Sequence, residues 1–544
     1  MTRDTSRDGW RNRLRSWALT SAPVLWAVSN RVPPIHRRVN RALIDSSIGL
    51  SRTRPHPLST LSDYTSVESL RDKRYFSRHL PAVEPSPALP SAAEAAALFE
   101  RRGPAKLSDK STMLFATYAQ WFTDGFLLSN LDPKERDRNH STHELDLSQL
   151  YGTSTEATNA LRTMRGGRMK SQQYKGEEYA PFLFEGKKRR SGFDALPNPV
   201  GVKEDYDPVK RATLFAFGGE RSNSTPQTAM LNILMLREHN RVAGELERAN
   251  PKWQDERLFQ TARNIVTAVQ LKIVIGEYIN HISPFHHRFE LDPSVAWKAP
   301  WNRPCWFAVE FNMLYRWHSL IPDDIRWGEQ TYSLWDWQRD NRPLLETGLA
   351  FALEASSVQP AGEIWLGNTA AALLPTELSA IEQGRMNRLA SYNDYRVAMS
   401  FPRVDRFEQI SSSPHIVSEL RRLYKHVDNI EFYVGLFAED PRPNGAVPAL
   451  LGRMVALDAF SQALVNPLFS EHVYNEKTFT QQGLRWIAAT NTLADLVARN
   501  VQGGKHLYVT MTRAAAPPKP GTPPAPRRQP EKPRRELAES EALP

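Results

Sequence analysis

The sequence predicts an all-α fold, on three observations: apolar residues recurring at helical spacing, few alternating strand patterns, and a composition able to bury a large core. Between Asp255 and Ser283, the residues Leu258, Phe259, Ala262, Ile265, Val266, Val269, Ile273 and Tyr278 fall on one wide apolar face. Two further helices are expected, over about 228–249 and about 111–128. With 544 residues the chain is long enough for one large domain or two to three ordinary ones. A hydrophobic fraction of 40% and a mean hydropathy of −0.51 describe a globular protein rather than a polytopic membrane protein. No stretch supplies the roughly eighteen uninterrupted apolar residues of a spanning helix.

Composition divides the chain into three parts. Residues 1–60 read as a basic amphipathic segment, 61–510 as the compact domain, and 511–544 as a tail rich in proline and arginine that cannot bury a core. The net charge of +10 is concentrated at the start, where residues 1–55 hold eleven arginines against Asp4, Asp8 and Asp45. These arginines alternate with Trp10, Leu14, Trp17, Val24, Leu25 and Trp26, the composition of a helix lying among lipid headgroups. No nucleic-acid-binding module accompanies the charge, so the expected partner is a membrane surface and not nucleic acid. The apolar run from Trp17 to Val28 is interrupted by Pro23 and offers a poor cleavage site, so secretion is the lesser expectation. A cytoplasmic, peripherally membrane-associated protein is expected. The single cysteine, Cys305, excludes an intrachain disulfide and reads as a buried inert thiol.

The richest segment is Phe311-Asn312-Met313-Leu314-Tyr315-Arg316-Trp317-His318. In a helix, Tyr315 and His318 would share a face. A neutral imidazole is a good axial ligand for haem iron, and a tyrosine one turn away could be oxidised. The segment resembles the signature of the cyclooxygenase-like branch of the animal haem peroxidases, with Pro322-Asp323 following in register. The resemblance extends to Leu236-Arg237-Glu238-His239-Asn240-Arg241, Phe115-Ala116 through Ala119-Gln120, and Asp146-Leu147 through Tyr151-Gly152. Tyr392-Asn393-Asp394-Tyr395-Arg396, Glu431-Phe432-Tyr433 and the early Leu43-Ile44-Asp45-Ser46 complete it, so that it spans roughly residues 20 to 500.

What the resemblance implies is an oxidoreductase with non-covalent haem b. His318 is the expected proximal ligand, Tyr315 the hydrogen-abstracting tyrosine, Asn393 the partner of the proximal imidazole and Arg396 a haem-propionate contact. Arg221 resembles the distal arginine of the peroxidases. Ser224 stands where a glutamate would form a haem ester, and so argues for a haem that is not covalently held. His239 is expected to be structural. The substrate carboxylate would be met near Asn40, with Arg41 or Arg38 as the cation, and Ser461 lies close to the serine of the acyl channel. Expected partners are an unsaturated fatty acid or lipid hydroperoxide, oxygen or peroxide, and a second copy of the chain.

The distal helix departs from the pattern. Gln120 is in place, but the position of the distal histidine, four residues on, holds Asp124. Cleaving a peroxide needs a group that takes and returns a proton near working pH, and imidazole at about 6.5 suits this better than a free carboxyl near 3.9. Burial could raise Asp124 into that range. The departure keeps four readings open: a fatty-acid dioxygenase, a lipid-hydroperoxide isomerase, a simple peroxidase of small reductants (favoured by Arg221, disfavoured by Asp124), and a peroxidase-dead protein that binds haem or lipid. Calcium is a further expectation, with Thr142, Asp146 and Ser148 as oxygen ligands, although Gly125 occupies the place of the helix-borne aspartate.

Overall fold

A computed structural model describes residues 19–21, 23–49, 66–67, 74–129, 132 and 134–515. Trp10, Leu14, Trp17, the side chain of Leu25 and residues 516–544 of the tail lie outside the described residues. The helices that position the site are α1 (Pro23–Arg31), α2 (Pro33–Gly49), α3 (Met113–Thr123), α4 (Pro226–Ala249), α5 (Asp255–Ile273) and α6 (Val309–Leu314). They continue with α7 (Arg342–Val358), α8 (Leu374–Met386), α9 (Tyr392–Ala398), α10 (Phe432–Ala438) and α11 (Ala449–Leu464). Among the described residues the strands form only two-stranded ribbons. One of these, β1 (Leu107–Thr112) antiparallel to β2 (Pro360–Gly362), leads directly into α3.

The central helix is α4. Thr225 caps it by accepting from Thr228 N at 3.1 Å, and Pro226 occupies the first turn, where a missing N–H costs nothing. Its apolar faces pack against α3, α5 and α7. The Leu236–Arg241 motif lies at its centre and is structural. His239 is fully buried, donating from Nε2 to Gly167 O and accepting from Tyr151 OH on Nδ1, both at 2.9 Å. Burial pushes its imidazole down to about 4, so it stays neutral. Glu238 accepts from Arg241, Arg499 and Asn500, and Arg237 donates to Glu177 and to the backbone of Glu178.

The helix expected over 255–283 is present as α5 followed by a π-helical turn at Val274–Ile279 and a last turn at Asn280–Ile282. The wider turn sets the orientation of Tyr278 at the point where the helix reaches the site. The helix expected over 111–128 is shorter than its apolar run, because Leu107–Thr112 pairs as β1 and the helix stops at Asp124. Both expected domain limits move outward. On α2, Ile44 and Ile48 are fully buried against α11, and at the other end Met511 is buried beside β1.

Among the described residues no helix is long and apolar enough to cross a membrane. On α1, at the bend after it and on α2, however, Val24, Val28, Val32 and Ile35 are 76%, 58%, 37% and 48% exposed. The opposite side of α2 is fastened to the body. Asn40 donates to Glu290 O at 2.9 Å and accepts from Glu290 N at 3.1 Å, His36 Nε2 meets Arg288 O at 2.8 Å, and Asp45 accepts from Trp301 Nε1 at 2.7 Å.

Candidate active site

Helix α6 carries the signature segment but ends early. Tyr315 takes φ −95° and ψ 14° as the cap, and His318 opens a short 3-10 turn, His318–Leu320, closed by Ile321 N donating to His318 O at 3.1 Å. The pairing of Tyr315 and His318 therefore comes from a turn and not from one continuous helix face. Gly362 of β2 permits the turn to sit where it does, since a Cβ there would lie 2.0 Å from Ser319 O. The Pro322-Asp323 pair is anchored by Arg101, which donates to Asp323 at 2.6 Å and to Ile321 O at 2.8 Å.

The His318 ring stands with Nδ1 3.1 Å from Glu377 Oε1, an approach that is close but bent. Glu377 projects from the first turn of α8 and is itself held: Thr369 Oγ1 donates to Oε1 at 2.7 Å and Tyr433 OH donates to Oε2 at 2.6 Å. His318 Nε2 has no hydrogen-bond partner among the described residues, and its side chain is 20% exposed while Glu377 is 1% exposed. One ring nitrogen thus stands beside a buried carboxylate and the other is uncommitted among the described residues, an arrangement compatible with an axial ligand. Position 318 fits a haem.

Asn393 does not take part. Its Nδ2 donates to Val404 O at 2.9 Å and to Asp428 at 2.6 Å, and its Oδ1 accepts from Val404 N at 3.0 Å. The amide is used up bracing the chain after α9, and the place expected for it at the imidazole belongs to Glu377. Arg396 is likewise committed. It donates to Glu439 at 2.5 Å, to Tyr392 OH at 3.0 Å and to Pro402 O at 2.9 Å, which leaves a buried ion pair in place of a propionate contact. Arg41 is exposed on α2 and donates to Ser294 O at 2.8 Å and to its hydroxyl at 3.1 Å. It does not reach the site, and neighbouring Asn40 is spent on Glu290.

The three distal residues do converge. Asp124 caps the C-terminus of α3, Gln120 on the preceding turn approaches its carboxyl, and Arg221 Nη1 lies 3.9 Å from Oδ1. Oδ2 is buried with no partner. Loss of solvent pushes this carboxyl up to about 7, against the opposing pull of Arg221 and Gln120 and with a smaller push from Glu220. Between the proximal and distal groups lies Arg316, whose guanidinium is lowered chiefly by burial, raised by Tyr433 and Glu377, and lowered by Arg221.

Tyr315 lies among aromatic rings, perpendicular to Phe311 at 5.1 Å and tilted against Trp317 at 5.0 Å between centroids. Burial holds its phenol protonated, and the charge of Asp458 adds to the effect. Asp458 on α11 forms a fully buried pair with His79 at 3.0 Å, a feature the sequence did not signal. Cys305 is a buried thiol donating to Gln462 Oε1 at 2.8 Å, and Ser461 returns its hydroxyl to Asp458 O at 3.0 Å within α11.

Three similarities now bear on the chain. Residues 128–512 match the family profile of the animal haem peroxidases. The chain belongs to the animal haem peroxidase family. Prostaglandin G/H synthase 2 of Equus caballus is 30% identical over 502 residues, covering 90% of this chain and 80% of that protein. Prostaglandin G/H synthase 1 of Rattus norvegicus is 30% identical over 460 residues, covering 82% and 74%. Among solved structures, peroxidase A of Dictyostelium discoideum superposes with a TM-score of 0.67 at 18% identity, covering 85% of this chain and 99% of that one. The fatty acid alpha-dioxygenase of Oryza sativa gives 0.64 at 17% identity, covering 92% and 96%. At such identities these two structures speak to the fold, which is the helix-rich fold of the haem peroxidases. Members of the family bind haem, and this animal haem peroxidase is an oxidoreductase enzyme.

The proposed calcium ligands also gather. Thr142 Oγ1 lies 3.3 Å from Glu144 O, 3.3 Å from Asp146 Oδ2 and 3.5 Å from Ser148 Oγ, and Ser148 donates to Asp146 Oδ1. A cavity of about 10 Å³ adjoins them, lined by Gly125 and Asp146 among others. Gly125 supplies no ligand, and a Cβ there would lie 2.2 Å from Gln149 Oε1, so no aspartate fits. Among the described residues no group of three His, Cys, Asp or Glu side chains could hold a metal ion. Glu144 lines the same small cavity as Asp146. A larger cavity, about 300 Å³, opens behind α8 and α9 beside Arg385, Asp394 and Tyr433; neither His318 nor Asp124 lines it.

Proposed function

We propose that the chain is a haem-dependent fatty-acid oxygenase of the dioxygenase/peroxidase type, with His318 as iron ligand, Tyr315 as the hydrogen-abstracting group and Asp124 in the place of the distal imidazole. The observation that carries this reading is the His318 ring, with Nδ1 3.1 Å from the buried Glu377 carboxylate and Nε2 uncommitted among the described residues. Haem b, held without a covalent link, supplies one-electron oxidising power when bound. A neutral phenol that gives up one electron and its proton becomes the phenoxyl radical, which takes a hydrogen atom from a C–H bond and returns to the phenol; burial keeps Tyr315 in the neutral form. Fatty acids are the substrate class named for the Oryza sativa dioxygenase of the same fold.

Asp124 is the group that moves a proton on the distal side. With its carboxyl near 7 it is populated in both protonation states at neutral pH, so it can accept a proton at Oδ2 and return it. Arg221 at 3.9 Å stabilises the charged form. The same pair favours a second reading, a lipid-hydroperoxide isomerase, in which Asp124 and Arg221 orient the substrate and Tyr315 is dispensable.

The exposed stripe from Val24 to Ile35, flanked by Arg31, Arg37, Arg38 and Arg41, supports peripheral attachment to an anionic membrane surface. Thr142, Glu144 O, Asp146 and Ser148 are the oxygens that would hold a calcium ion.

The test is oxygen uptake and product analysis with a panel of unsaturated fatty acids and their hydroperoxides, for the wild type and Tyr315→Phe. Oxygenation by the wild type and loss of roughly 100-fold or more in Tyr315→Phe is the expected result. Undiminished turnover of hydroperoxide by Tyr315→Phe, without oxygen uptake by either protein, would select the isomerase.

A further inference from the structure

We infer that Glu377 sets the donor strength of the proximal ligand: it holds the Nδ1–H of His318 and makes the imidazole a stronger, more imidazolate-like donor. The inference rests on the reading of His318 as the iron ligand. Its own support is geometric. Glu377 Oε1 lies 3.1 Å from Nδ1, and the carboxylate is fixed from two further sides by the hydroxyls of Thr369 at 2.7 Å and Tyr433 at 2.6 Å. Each oxygen of Glu377 accepts from one of these hydroxyls, and Oε1 also faces Nδ1 of His318. Glu377 also stands in the first turn of α8, where the unpaired N–H groups of the helix favour negative charge.

A histidine that binds metal through one nitrogen generally donates from the other, and the partner tunes its basicity. A neutral amide pulls weakly on that proton. A carboxylate pulls strongly, leaves more electron density at Nε2 and favours the more oxidised metal. In this chain the amide of Asn393 is committed to Val404 and Asp428, and an anion stands at the imidazole instead. The distal side has lost an imidazole at Asp124. Glu377 thus strengthens the ligand on the side of the pocket opposite that loss.

Glu377 is a positioning residue, and a purely structural role makes different predictions. Glu377→Gln keeps the shape but removes the charge. Tyr433→Phe keeps the charge and removes one of its donors, so the remaining carboxylate pulls harder on Nδ1–H. The two variants should move the ligand in opposite directions. Protein reconstituted with haem is measured by resonance Raman for the ferrous iron–histidine stretch and by redox titration for the midpoint potential. The expected result is a lower stretching frequency and a more positive potential in Glu377→Gln, the reverse in Tyr433→Phe, and values near wild type in Glu377→Asp. Wild-type values in both Glu377→Gln and Tyr433→Phe, or shifts of the same sign, would overturn the role of Glu377 while leaving His318 as ligand. If the wild type lacks an iron–histidine stretch and His318→Ala leaves its spectrum unchanged, the ligand assignment itself falls, and this inference with it.

Discussion

Replacing Asp124 by asparagine tests the buried distal carboxyl without any cofactor. The carboxyl is shifted from 3.8 to about 7 on folding, mainly because it is taken out of water. Its folded value lies above its unfolded value, so between these limits the folded chain binds more protons than the unfolded one. Stability contributed by the neutral form is intact below about pH 4 and is lost as pH rises through about 7. At ~1.36 kcal/mol for each tenfold change in proton affinity, the gap amounts to about 4 kcal/mol. Asparagine has the same shape and no charge. Urea unfolding of the haem-free wild type and Asp124→Asn from pH 4 to pH 8 should therefore show a stability difference that tilts toward the variant with rising pH. The tilt should approach ~1.4 kcal/mol per pH unit in mid-range and level off above about pH 8. A difference that stays constant over this range, or that tilts toward the wild type, would refute the assignment of a buried, poorly compensated carboxyl.

Asp124→His places imidazole beside Gln120 and Arg221, and stopped-flow peroxidase assays should show a gain of about tenfold or more if the distal pocket is otherwise whole. Val28→Asp and Val32→Asp each remove an exposed apolar contact worth roughly 1.5 kcal/mol or more, so vesicle co-sedimentation on anionic lipid should weaken by about tenfold per change with the fold retained. For calcium, the haem-free chain should gain about 2.7 kcal/mol at a concentration a hundredfold above Kd, and Asp146→Asn should abolish the gain. Because burial raises the Asp146 carboxyl and a metal needs it deprotonated, that affinity should fall as pH is lowered.

The helices were legible where one face is apolar and the other polar, as in α5, whose expected range coincides with the observed helix and its π-helical extension. The short ribbons were not, because pairs of three to six residues such as β1 and β2 carry too little alternation to register. Gln120, Asp124, Arg221, Tyr315 and His318 stand out in the sequence because each lies in a run of family-like residues, and the structure brings Gln120, Asp124 and Arg221 together. Glu377 does not stand out. It lies in Leu374-Pro375-Thr376-Glu377-Leu378, where an acidic residue near a helix start reads as an ordinary solvated charge. Only the fold shows that this turn of α8 faces inward, with Tyr433 waiting for it. Asn393 and Arg396 each stand in a recognisable motif, yet their partners were not legible: buried polar groups take the nearest ones, here Val404 and Glu439.

The most direct test of the central claim is a haem titration followed by absorbance and electron paramagnetic resonance, comparing the wild type with His318→Ala. A Soret band and a histidine-ligated ferric signal that saturate at one haem per wild-type chain, and disappear in His318→Ala, are the expected result. Equal pigment with an unchanged ferric spectrum in the alanine variant would place the iron on another residue.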